Sequence, residues 1–159
     1  MSEKKVFIAE GARLVGDVQL GEDCGVWYNA VIRADKSTAT IGNRSNIQDN
    51  CTVHAEVNFP VTIGNDVTVG HGAIIHGCTI EDCCLIGMGS IIMNGAVIGE
   101  GSMVGAGAMV TGGKIIPPGS LVLGNPAKVV RPVTAEEREQ ILESAKEYMH
   151  FAALAGGKK

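Results

Sequence analysis

Val69-Gly70-His71-Gly72-Ala73-Ile74-Ile75-His76-Gly77 sets two histidines among glycines and branched aliphatics. Its Val69 and Ile75 belong to a series in which an aliphatic residue returns every sixth position. Upstream the series runs Ile8, Leu14, Leu20, Val26 and Ile32, breaks over 35–40, and resumes at Ile41, Ile47 and Val53. A second break over 55–60 precedes Ile63, Val69 and Ile75. After one five-residue step come Ile80, Ile86, Ile92, Ile98, Val104, Val110, Ile116 and Val122. An amphipathic helix needs apolar recurrence near 3.6, and an isolated amphipathic strand near 2. Period six, with glycine and small residues between the aliphatic positions, describes a short strand, a tight corner and another short strand.

Three such hexads close one triangular coil, and stacked coils repeat at about 4.8 Å, the spacing of hydrogen-bonded strands. The aliphatic rungs then form one continuous core, while stacked backbones satisfy each other's polar groups. Gly87, Gly99 and Gly105 fall at corners, where positive φ or close backbone approach is needed. This pattern resembles the hexapeptide repeat of the left-handed parallel β-helix family over roughly the first four-fifths of the chain. The resemblance supplies the handedness, because ordinary crossovers are right-handed. The expected fold is an all-β solenoid, a left-handed parallel β-helix over residues 1–131. Residues 132–159 are expected to form a C-terminal α-helix and tail packed on the same domain.

Ile116-Pro117-Pro118-Gly119 and Gly124-Asn125-Pro126-Ala127-Lys128 mark the end of the coils, since proline has no N–H to give to another ladder. Thr134-Ala135-Glu136-Glu137 reads as a helix start, with Thr134 as N-cap and Glu137 as its capping-box partner. Ile141, Leu142, Ala145, Met149 and Ala152 then share one face at helical spacing. The helix is expected from about Ala135 to Ala153, ended by Gly156-Gly157.

Aromatics are only 4% of the 159 residues and glycine is abundant, a mix that suits stacked short strands. A formal charge of −4 argues against nucleic acid as a main partner, which demands a basic face. No run is long and apolar enough to span a bilayer, and Met1-Ser2-Glu3-Lys4-Lys5-Val6 has no signal-peptide core. The five cysteines, Cys24, Cys51, Cys78, Cys83 and Cys84, are odd in number and show no Cys-x-x-Cys spacing. They read as small buried or half-buried thiols in a reducing compartment, so the expected setting is cytoplasmic.

His54 follows rung Val53 and His76 follows rung Ile75, and those rungs are three hexad steps, one full coil, apart. The two histidines are therefore expected one above the other, close enough to share a metal, with Arg33 in the same column one coil earlier. His71 follows Val69, a rung of the preceding face. Five extended residues cover about 16 Å, whereas two ligands of one zinc each lie about 2.1 Å from it. His71 of a neighbouring prism is thus a better third partner than His71 of the same chain, and a ring of three chains makes three such sites. Asp49 stands to Ile47 as His71 stands to Val69, so Asp49 is expected beside His71.

Arg33-x-Asp35, Asn46-Ile47-Gln48-Asp49, His54 and His71-x-x-x-x-His76 resemble the motif set of the γ-class carbonic anhydrases and their bacterial homologues. The resemblance implies a homotrimer in which His54 and His76 of one subunit and His71 of the next hold zinc, or iron or cobalt in its place. It implies reversible hydration of CO2 to bicarbonate by a metal-bound hydroxide. Gln48 would lie beside the metal-bound water, Asp49 behind the ligands, Arg33 and Asp35 at subunit contacts, and Asn94 facing the pocket. One departure stands out. The family prototype carries an acidic proton-transfer loop, whereas here 35–40 reads Asp-Lys-Ser-Thr-Ala-Thr and 55–60 offers only Glu56.

An acyl-CoA-dependent acyltransferase shares the fold and the Gly-Asn-Pro-Ala-Lys ending, and needs only one histidine as general base. A metal-stapled binding or assembly protein is the third reading, and fold alone does not choose among them. Met88, Met93, Met103 and Met109 read as wall packing, and His150 as a solvated helix residue. Tyr148 reads as a packing residue able to reach toward the site. The glycine-rich hexads are not phosphate loops, because none follows a strand and opens a helix.

Overall fold

The computed structural model describes residues 4–156. Within them the chain winds into a parallel β-solenoid of about six turns, the left-handed β-helix of hexapeptide repeats, closed by one C-terminal helix. The ladder follows the period-six series residue for residue. On the first face Ile8, Val26, Ile47, Val69, Ile86, Val104 and Val122 pair in register. The second face stacks Leu14, Ile32, Val53, Ile75, Ile92 and Val110. The third stacks Leu20, Ile41, Ile63, Ile80, Ile98 and Ile116. From Val26 onward these rungs are buried, each contributing about 1.5–3 kcal/mol of apolar burial. Ile8 and Leu14 are exceptions at 49% and 36% exposure, because the first coil is the end of the stack.

Corner glycines answer two demands. Gly87 is set by close approach, since a Cβ there would lie 2.5 Å from the Ala106 nitrogen of the next coil. Gly77 has φ +59 at the five-residue corner. Asparagine takes the same left-handed conformation at Asn29 and Asn50, with φ +59 and +60, in the column that Gly72 and Gly89 continue. Asn tolerates this region because its side chain bonds locally.

Both breaks in the series fall at one corner, between the second and third faces. The first is not a loop. The strand Val31–Ile41 runs through it, and the register jump from Gly16↔Ala34 to Asp17↔Thr38 leaves Asp35, Lys36 and Ser37 bulged outward. The second break is a tight turn closed by Glu56 and Phe59, each donating its N–H to the other's carbonyl at 3.0 and 2.8 Å.

The proline-rich end is also more structured than a simple stop. Ser120–Gly124 turns back through Asn125 and Pro126 into an antiparallel partner strand, Ala127–Pro132. Helix α1 spans Ala135–Gly156 and lies over the first face. Its capping box forms as expected: Glu137 N–H donates to Thr134 Oγ1 at 3.1 Å, and Thr134 N–H to Glu137 Oε2 at 2.8 Å. Ile141 packs with Leu121 and Val133, against Leu85 and Met103 of the face below. Leu142 departs from the expected stripe and is exposed. The helix runs through Gly156, and Gly157 lies outside the described residues.

Candidate metal centre

His54 and His76 occupy matching positions on adjacent strands of the second face, and Arg33 pairs with His54 on the coil below. Register alone thus produces the column. The His54 and His76 rings meet at a centroid distance of 5.0 Å, with His54 Nδ1 3.1 Å from His76 Nε2. Asn94, one coil further, places Oδ1 2.5 Å from His76 Nδ1. An amide oxygen only accepts, so His76 Nδ1 carries the proton and its Nε2 is a lone pair. That lone pair accepts from His54 Nδ1–H, which leaves His54 Nε2 bare.

His54 Nε2 is buried and has no hydrogen-bond partner among the described residues. Asp35 Oδ1 lies 3.6 Å away, beyond hydrogen-bond reach. Asp35 is held instead by Arg33 Nη1 at 2.7 Å, and this bond keeps its carboxyl below the usual range. Glu56 completes the corner. Single donor atoms of His54, Glu56 and His76 all lie within 4.8 Å of one another. Glu56 stays ionised below the usual carboxylate range, first because Val57 N–H donates to it and second because Lys36 lies beside it. One orphaned imidazole lone pair, a second released when the His54–His76 hydrogen bond opens, and a carboxylate beside them form a donor set that suits a zinc-type cation.

The opposite edge of the second face carries the other residues. His71 Nδ1 lies 2.9 Å from Asp49 Oδ2, as the spacing predicts. The carboxylate fixes the tautomer, so His71 Nε2 is the lone pair presented outward. Tyr148 from α1 sets its hydroxyl 3.4 Å from that nitrogen while packing edge-on against Trp27 at 5.3 Å. Burial, and then the charge of Asp49, raise the Tyr148 phenol above its ordinary pKa. Gln48, next to Asp49, is buried, its amide N–H donating to Asn46 Oδ1 at 3.2 Å. Asn46 in turn donates to Thr68, which donates to Ser144 of α1.

The predicted residues thus divide into two groups at the two edges of one face. Arg33, Asp35, His54, His76 and Asn94 gather at one, and Gln48, Asp49 and His71 at the other. Sequence reasoning missed Glu56 as a donor. Its signal was present, since it stands two residues after His54 in the break that stacks on the His76 corner. His150 is exposed, as read from the sequence.

Comparison with known proteins bears on this arrangement. A model of the bacterial transferase hexapeptide (six repeats) matches residues 77–112, and one of the hexapeptide repeat of succinyl-transferase matches 60–93. A Methanocaldococcus jannaschii protein named "Probable carbonic anhydrase" is 55% identical, covering 96% of each chain. The chain belongs to the γ-class carbonic anhydrase-like family of hexapeptide-repeat proteins. A Geobacillus kaustophilus protein named carbonic anhydrase is 48% identical over 90% of this chain and 79% of its own. A solved Bacillus cereus structure carrying an acetyltransferase name superposes with a TM-score of 0.95 at 45% identity, over 97% of this chain and 90% of that one. Names within this fold therefore divide between two chemistries.

Proposed function

We propose that the chain catalyses the reversible hydration of CO2 to bicarbonate at a zinc-type cation shared between subunits of a homotrimer. His54 and His76 of one chain and His71 of the next are the ligands. The observation that carries this reading is the orphaned His54 Nε2 beside His76, with His71 and its outward lone pair at the opposite edge of the same face. A neighbour rotated about a threefold axis brings one edge against the other, and the same contact repeated closes the ring. Ile74 and Met93 flank the histidine column and are each 37% exposed, an apolar surface that a second copy would cover.

A divalent cation held by these residues would supply Lewis-acid activation of water for attack on CO2. The chain's own residues orient and support. Gln48 donates to Asn46 and so keeps its amide oxygen free to accept from a nucleophilic water. Asp49 and Asn94 fix the tautomers of His71 and His76. Arg33 and Asp35 stand as an ion pair at the subunit contact. No helix among the described residues is long and apolar enough to cross a membrane, and the free thiols suit the cytoplasm. The same reading takes 1–131 as the β-helix domain and 132–159 as the segment packed on it, with 1–3 and 157–159 lying outside the described residues.

The acyltransferase reading draws on one specific observation, the Asp49–His71 pair, which is also how a general base is oriented. Mixing separates the two. His54→Ala and His71→Ala trimers, each inactive alone, are expected to regain activity when dissociated and reassembled together. Random mixing leaves about one interface in four with all three ligands. Activity that stays absent on mixing, or acyl transfer that survives chelation, would overturn the interchain metal site.

A further inference from the structure

We propose that Glu56 completes, with His54 and His76, a three-donor site for a zinc-type cation within a single chain, and that His71 of a second copy takes its place on assembly. This rests on the reading of His54 and His76 as metal donors. Within one chain only Glu56 brings a third donor atom within 4.8 Å of the histidine pair among the described residues. The buried His54 Nε2 also has no hydrogen-bond partner among the described residues.

Glu56 is placed there by backbone and not by a floppy loop. Its turn is closed by two hydrogen bonds to Phe59 and takes a left-handed residue at Asn58, φ +64. Val57 N–H donates to Oε1 at 2.9 Å and Lys36 Nζ to Oε2 at 3.2 Å. A carboxylate has lone pairs for a cation beyond those two bonds. Lys36 gives the released carboxylate somewhere to rest, its ammonium lying 3.0 Å from Glu56, while Asp49 sits 2.9 Å from His71 Nδ1 and so turns His71 Nε2 outward. One donor leaves and one arrives. A separated chain can therefore load its cation before its neighbours close over it.

The test titrates chelator-stripped full-length protein with cobalt(II) chloride, reading metal per chain and the visible ligand-field spectrum. His71→Ala should still take up cobalt, and His71→Ala/Glu56→Gln should bind it about tenfold more weakly or worse. Glu56→Gln alone should stay within about threefold of wild type, since the assembled site does not use it. Lys36→Met in the His71→Ala background should tighten binding, because the competing ammonium is gone. Equal affinities of His71→Ala with and without Glu56→Gln would overturn the proposal, as would a His71→Ala protein that takes up no cobalt while wild type does. Wild type that binds no cobalt would sink the shared-site reading itself.

Discussion

The two edges of the second face are built from the same hexads and behave differently. At the edge holding His71 the corners keep strict spacing, Asn50 and Gly72 turn the chain, and His71 has a carboxylate partner on one nitrogen and the Tyr148 hydroxyl 3.4 Å from the other. At the edge holding His54 and His76 the repeat is broken three times. A three-residue bulge, a four-residue turn and a shortened corner stack on one another. The bulge delivers Asp35 and Lys36, the turn delivers Glu56, and the short corner exposes His76 to Asn94. The regular edge thus presents single side chains such as His71 with its Asp49 partner, whereas the broken repeat gathers side chains from three successive coils.

The comparison breaks most sharply at the ligands. His76→Ala should lower metal affinity by more than about a hundredfold, beyond what supporting partners cost, and abolish CO2 hydration. Metal per trimer and stopped-flow hydration measure both. At the regular edge Gln48→Ala should leave metal content intact and slow turnover by about ten- to hundredfold, the range for positioning groups. If metal is lost with it, Gln48 is structural. Asp49→Asn should weaken metal by about tenfold through a loosened His71. The corresponding Asn94→Ala change, at the other edge, should do the same through His76.

A control lies away from both edges. Arg131 hydrogen-bonds the Glu137 carboxyl and holds it at about 2, below its ordinary 4.5. Because the folded value is the lower one, the stabilisation is present above about 4.5 and is lost as pH falls through about 2. Glu137→Gln should therefore lower the thermal midpoint modestly at pH 7, with the gap from wild type closing in acid. The smallest effect concerns the thiols. Burial pushes Cys51 up to about 11 and Cys78 up to about 12, one near each edge. Thiol reagents at neutral pH should label the half-buried Cys83 first, and reductant should leave the thermal midpoint unchanged, since all five cysteines are free. A drop in midpoint would mean a disulfide.

The sequence by itself determined the solenoid and its register. Inward rungs must be aliphatic in every coil, so the core is written as a period that survives counting, and counting through the breaks put His54 over Arg33 and under His76. It also set Asp49 beside His71 and the capping box at Thr134, because both depend on fixed offsets along the chain. What the period does not encode is the content of its own interruptions. That 35–37 bulges within a continuous strand, that Glu56 turns back onto the histidines, and that Asn94 settles a tautomer depend on three coils meeting at one corner. Only the tertiary structure decided these, along with the hairpin after Gly124 and the exposure of Leu142. Side chains there are chosen by neighbours some twenty residues away, and no local spacing reports on them.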